Sequence, residues 1–152
     1  MIAMSAALVS SPVSAAPIRR SRAVRVVVWT CQILLALAFL AHGLMMLFPP
    51  PEVAVQMNAT LPRWFSLFIG FAEIAATAGL ILPAMTGIQR WLIAAAAGGI
   101  MIIMVSATIF HLARHEIGSA VTTFVLLAMA TLVARIRSRD YARRPQAPTA
   151  SR

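Results

Sequence analysis

The chain has no lysine and only four acidic residues among 152, and charged side chains of all kinds make up 11% of it. A soluble domain of this length needs far more polar surface, so the composition excludes that class and points to an integral membrane protein. There is a single cysteine, Cys31, which excludes an intramolecular disulfide and a CxxC redox pair. Residues 1–18 carry no charged side chain, so the basic start of a secretory signal is missing. This segment, rich in Ala, Ser and Pro, reads as a disordered cytoplasmic tail over residues 1–23, with a misplaced start codon as one source for it. No cofactor motif and no metal-ligand cluster is evident in the sequence.

What the chain has in quantity is apolar sequence, 61% of the total. A bilayer core about 30 Å thick takes roughly 20 apolar residues as a helix. Four such stretches are legible, at about 24–48, 64–82, 91–112 and 119–134, and they leave no room for a separate soluble domain. The expected fold is therefore all-α, a polytopic four-transmembrane-helix bundle spanning residues 24–135. Pro49-Pro50-Pro51 ends the first span, because proline removes a donor and disfavours helix in the residue before it. Residues 49–63 form the longest loop, and Pro83 is expected to end the second span. Residues 136–152 read as a basic disordered tail.

The positive charge is all arginine, 13 residues giving a net +9. These side chains lie outside the apolar stretches and cluster near the termini, a pattern of topology and lipid-headgroup contact that argues against a nucleic-acid partner. Only Arg63 and Arg114 fall on the opposite side. The positive-inside rule then puts both termini in the cytoplasm, in a multi-pass protein of the plasma membrane, and an even number of spans agrees.

Within the apolar stretches a few residues stand out. Glu73 is the only charged residue from Trp64 to Gln89. An acid at a helix centre costs about 2.5 to 3.5 kcal/mol on the insertion scale, so it faces protein and finds a partner. Counted by helical rise, Glu73 lies roughly 13 Å below the outer helix end, His42 roughly 9 Å, and His111 only a few Å. Glu73, His42 and His111 are thus the candidate ligand or proton-relay residues, on three different helices. Gly70, Ala76 and Thr77 share a face with Glu73, a small stripe fit to admit a helix or a ligand. The bland alternative is a structural lock, with Glu73 simply tying helices together. Small-xxx-small spacing at Ala94/Gly98 and Ala95/Gly99 marks a helix-packing face, with Gly43 and Gly70 as further packing positions. Two histidines on separate helices do not make a haem site, since neither helix carries a second one. Cys31 and the span methionines read as packing residues, and His115 as a solvated loop residue.

Three ordered patterns carry a family resemblance. Phe39-Leu40-Ala41-His42-Gly43-Leu44-Met45-Met46-Leu47-Phe48 resembles the first-helix motif of the DoxX family, FLxHGxxKLF. Gly70-Phe71-Ala72-Glu73, with Gly79-Leu80-Ile81-Leu82-Pro83, resembles its second-helix GxxE and GLxLP. Ala107-Thr108-Ile109-Phe110-His111-Leu112 resembles the AxxxHL end of its third helix. Met46 stands where the family commonly has lysine, so no role needing a cation there carries over. The resemblance implies a four-helix membrane bundle of bacterial or archaeal type. Members include a subunit of an archaeal thiosulfate–quinone oxidoreductase, and relatives act in cofactor maturation or in assembling other membrane proteins.

Three functions follow as expectations. The first is a small accessory subunit of a membrane redox or quinone-linked system, with a quinone as ligand and no enzyme activity of its own. The second is a non-catalytic scaffold or assembly factor, docking a membrane protein or a second copy of itself as a homo-oligomer. The third is a small proton-coupled transporter, although in the small multidrug transporters the membrane glutamate is in the first helix. The catalytic residues, if any, are not identifiable from sequence.

Overall fold

A computed structural model of the chain describes residues 21–142, which form five helices: α1 (Arg22–Leu47), α2 (Pro51–Thr60), α3 (Arg63–Thr86), α4 (Trp91–Ala113) and α5 (Ile117–Ala142). Among the described residues there is no strand. Four helices are long and apolar enough to cross a membrane, and α2 is not. At a rise of ~1.5 Å per residue the long helices measure about 35 to 39 Å, more than the hydrocarbon core requires.

The four spans run up and down in chain order. Neighbours α1/α3, α3/α4 and α4/α5 pack together, and α1 against α5 closes the ring. The core is a compact set of aliphatic and small side chains, among them Leu35, Phe39, Leu80, Ile100 and Val133. Phe68, Phe71, Ile102, Ile109 and Phe124 point outward and are exposed. Such a surface is untenable in water and suited to lipid, which is the all-α membrane bundle expected from composition.

The helix ends show how the polar backbone is satisfied. The Ser21 side chain accepts from the Val24 N–H at the start of α1. At the far end, the last carbonyls of α1 would be orphans in an apolar medium. Arg63 serves them from the next span, Nη1 donating to Met46 O at 2.8 Å and Nη2 to Leu47 O at 2.7 Å. Arg63, read from sequence only as a topology marker, is a clamp between α1 and α3.

Four boundaries differ from expectation. The proline run that ends α1 also begins α2, with Pro50 as its cap and Pro51 in its first turn, where a missing N–H costs nothing. Pro83 does not end α3. The helix continues to Thr86 and stops at Gly87, whose φ of 74° is left-handed and whose N–H donates to Pro83 O. Finally, α5 runs on to Ala142, well past the apolar stretch, so the first part of the expected basic tail is helical. Arg22 and Ala23, assigned to the N-terminal tail, already belong to α1. The rest of both expected disordered tails, residues 1–20 and 143–152, lies outside the described residues.

Candidate functional site

The α1–α3 seam holds the chemistry. Gly43 and Gly70 face each other across it. A Cβ at Gly70 would stand 2.9 Å from Leu47 Cδ2 and 3.0 Å from Gly43 O, and one at Gly43 would stand 3.2 Å from Glu73 Cβ. Only glycine permits that approach, which brings the two backbones close enough for short polar side chains to meet. Thr77 Oγ1 donates across the same seam to Ala36 O at 3.3 Å. The small stripe beside Glu73 therefore admits α1.

Glu73 is buried here, its side chain 2% exposed. Its hydrogen-bond partner is His42, whose Nδ1 lies 2.7 Å from Oε2. His42 is the outer half of the pair, with a side chain 51% exposed. Because Nδ1 is engaged, Nε2 is the ring nitrogen left to meet another molecule. Two turns nearer the start of α3, Ser66 is fully buried and its Oγ has no hydrogen-bond partner among the described residues.

His111 does not join this pair. Its Nδ1 lies 2.6 Å from Glu116 Oε2, and Arg114 Nε donates to Glu116 Oε1 at 2.7 Å. The three-residue cluster expected from depth resolves into two acid–histidine pairs. The turn after α4 explains it, since Glu116 N–H donates back to His111 O and carries its side chain with it. Depth placed all three residues in the same half of the membrane but could not weigh a nearer carboxylate five residues on from His111.

That turn lies between the membrane-spanning segments α4 and α5, and its electrostatics have a direct test. Arg114 first, and then His111, hold the Glu116 carboxyl below its ordinary range. The folded value is depressed, so the stabilisation is present at neutral pH and is lost as pH falls through that depressed value. Carbon-13 NMR of the Glu116 carboxyl should show a titration below that of an exposed glutamate. Arg114→Gln should move it back up, and an unmoved midpoint would sink the assignment.

Gly98 and Gly99 were expected to form a packing face. Among the described residues a Cβ at either position meets nothing within 4 Å, and close packing occurs instead at Gly43, Gly70 and Gly79. The physical reason is register: Ile93, Ala97, Ile100 and Met104 are the residues of α4 that turn inward. Cys31 and Met101 pack against the core as expected, and His115 is exposed.

Two residues with structural weight were passed over in the sequence. Gln32 of α1 is fully buried, donates from Nε2 to Leu80 O, and accepts from Arg137 of α5 through Nε at 3.0 Å and Nη2 at 2.7 Å. The Arg137 guanidinium carbon lies 5.2 Å from the centre of the Trp29 ring. The available signal was an amide inside an apolar span, which needs partners as an acid does. Among the described residues, no three His, Cys, Asp or Glu side chains converge as metal ligands.

Fold and seam together define a small polytopic membrane protein with an acid–histidine pair between its first two spans. The chain belongs to the DoxX-like family, whose model matches residues 30–133. Comparison with the curated proteins and with the solved structures found no match. The matched stretch contains His42, Gly43, Gly70 and Glu73, and it reaches from α1 well into α5.

Proposed function

We propose that this protein is an accessory subunit of a membrane redox system, in which His42 and Glu73 bind the polar head of a quinone and handle its protons. The observation that carries the reading is a buried carboxylate joined to a half-exposed imidazole at 2.7 Å. The imidazole can offer Nε2 to a ligand arriving from the bilayer while Nδ1 stays on the acid. When a quinol is oxidised it loses two electrons and two protons. The first O–H proton passes to Nε2 while the Nδ1 proton is drawn toward Glu73; the half-exposed ring then releases a proton from Nε2 to water and recovers its own from Glu73 before it takes the second. The electrons go to a redox centre on a partner protein, because this chain carries no redox cysteine pair. The reading includes a plasma-membrane location with both termini cytoplasmic, supported by the arginines gathered on the side of the termini.

The test is Glu73→Gln, which keeps the shape and removes the charge. Expressed in a strain lacking the gene, this variant should insert and assemble normally, fail to complement, and lose quinone recovered with the parent in mild detergent. Complementation equal to the parent would end the proton-handling proposal.

One observation favours a second reading, a scaffold or assembly factor. Gly98 and Gly99 leave small-residue surface on α4 uncovered by the other described residues, and such surfaces dock helices. In that case Gly99→Leu would abolish recovery of a client membrane protein, and Glu73→Gln would not.

A further inference from the structure

At the arginine-rich end of the bundle, a cleft of about 170 Å³ lies between α1 and α5, with Arg25 and Trp29 on one wall and Arg137 and Asp140 on the other. A second cleft, about 220 Å³, shares Arg25 and Trp29 and adds Arg22 and Thr30. Arg137 is not a loosely held surface cation. Two of its donors rest on the buried Gln32 Oε1, and its guanidinium is set over the Trp29 ring. A planar cation fixed in this way is suited to a tetrahedral oxyanion.

The start of α1 adds a second, independent argument. Arg22 opens the helix, Arg25 follows within one turn, and the first turn contains no acid. Cations there oppose the partial positive charge of the helix N-terminus, and an anion beside them relieves the repulsion. Asp140 offsets one of the three arginines around the two clefts, which leaves them net positive. Trp29 lines both clefts, and tryptophan is a residue type enriched where membrane meets water.

We propose that this pair of clefts binds one phosphate group, that of an anionic phospholipid headgroup in the leaflet on the arginine-rich side. Arg25 and Arg137 supply the charge, Gln32 positions Arg137, and Trp29 forms the apolar wall beside the glycerol and the first acyl carbons. The site lies at the opposite end of α1 from His42 and is independent of the function proposed for that residue.

The experiment uses the full chain in nanodiscs of phosphatidylcholine mixed with phosphatidylglycerol, followed by native mass spectrometry. The parent should retain phosphatidylglycerol in preference to phosphatidylcholine. Arg25→Gln and Arg137→Gln should each weaken retention about fivefold, the loss of one arginine–headgroup contact. Arg25 is exposed, so its variant folds even if the Arg137 variant does not. Arg90, on the same face but outside both clefts, is the control, and Arg90→Gln should retain lipid as the parent does. Equal retention of the two lipids, or an equal loss in Arg90→Gln, would overturn the site. In phosphatidylcholine alone, inorganic phosphate should leave the melting temperature unchanged. A rise matching that from phosphatidylglycerol would overturn the lipid as the source of the phosphate.

Discussion

Substituting His42 by alanine should destabilise the bundle by about 1–3 kcal/mol, the penalty for leaving the buried Glu73 carboxyl group without its hydrogen-bond partner. Among the described residues Glu73 has no other hydrogen-bond partner to turn to: Thr77 is engaged with Ala36 O, and His111 is held by Glu116. The decisive companion is the double variant His42→Ala with Glu73→Leu. It removes the stranded acid and fills the seam with carbon, so it should recover most of the loss. Reversible unfolding in mixed micelles, followed by tryptophan fluorescence, measures both. A single-variant cost below about 1 kcal/mol, with no rescue in the double, would show that the pair contributes little to the fold. The comparison also separates roles, because a structural lock predicts recovered function in the rescued double, and a proton relay predicts a stable protein that remains inactive.

The second large effect is expected at Gly70. A methyl group there would lie 2.9 Å from Leu47 Cγ and Cδ2 and 3.0 Å from Gly43 O. Leu47 can turn aside, but the backbone carbonyl moves only if α1 and α3 separate. Gly70→Ala should therefore cost about 1–3 kcal/mol, with Gly70→Leu worse. Separation also lengthens the His42–Glu73 contact, so loss of stability and loss of function should appear together. The counter-experiment is Gly99→Ala, where the new methyl group meets nothing. It should be neutral or stabilise by up to about 1 kcal/mol through reduced chain entropy. If both alanine variants behave alike, the closeness of the seam is not what holds these helices together.

How much of this was legible from sequence divides along physical lines. Span number and approximate position follow from hydropathy alone, since the bilayer imposes one length scale on every crossing helix. Helix ends are governed by something else. Hydropathy sees where carbon stops, while a helix stops where its hydrogen bonds do, and so α5 continues through Arg135, Arg137 and Arg139. The proline run was read as a stop, although proline is equally a start, and α2 went unseen. Glu73 was conspicuous because a carboxylate in an apolar helix has no neutral explanation. Its pairing with His42 was one of two choices that depth could not separate. Gln32 escaped because an uncharged amide disturbs a hydropathy profile far less than an acid does, although its partners lie on two other helices, at Leu80 and Arg137.

Arg63 and the two buried polar nodes also have a consequence in time. The chain is made from its N-terminus, so α1 is in place before α3 arrives. When Glu73 reaches the bilayer, His42 is already waiting on the adjacent helix, and Arg63 meets the open end of α1 in the same step. The costliest residue of the chain thus enters with its partner present. Gln32 has the opposite history, because Arg137 lies on the last span and is synthesised 105 residues later. The first hairpin can close on its own, while the amide at its far end is completed only when the final helix docks.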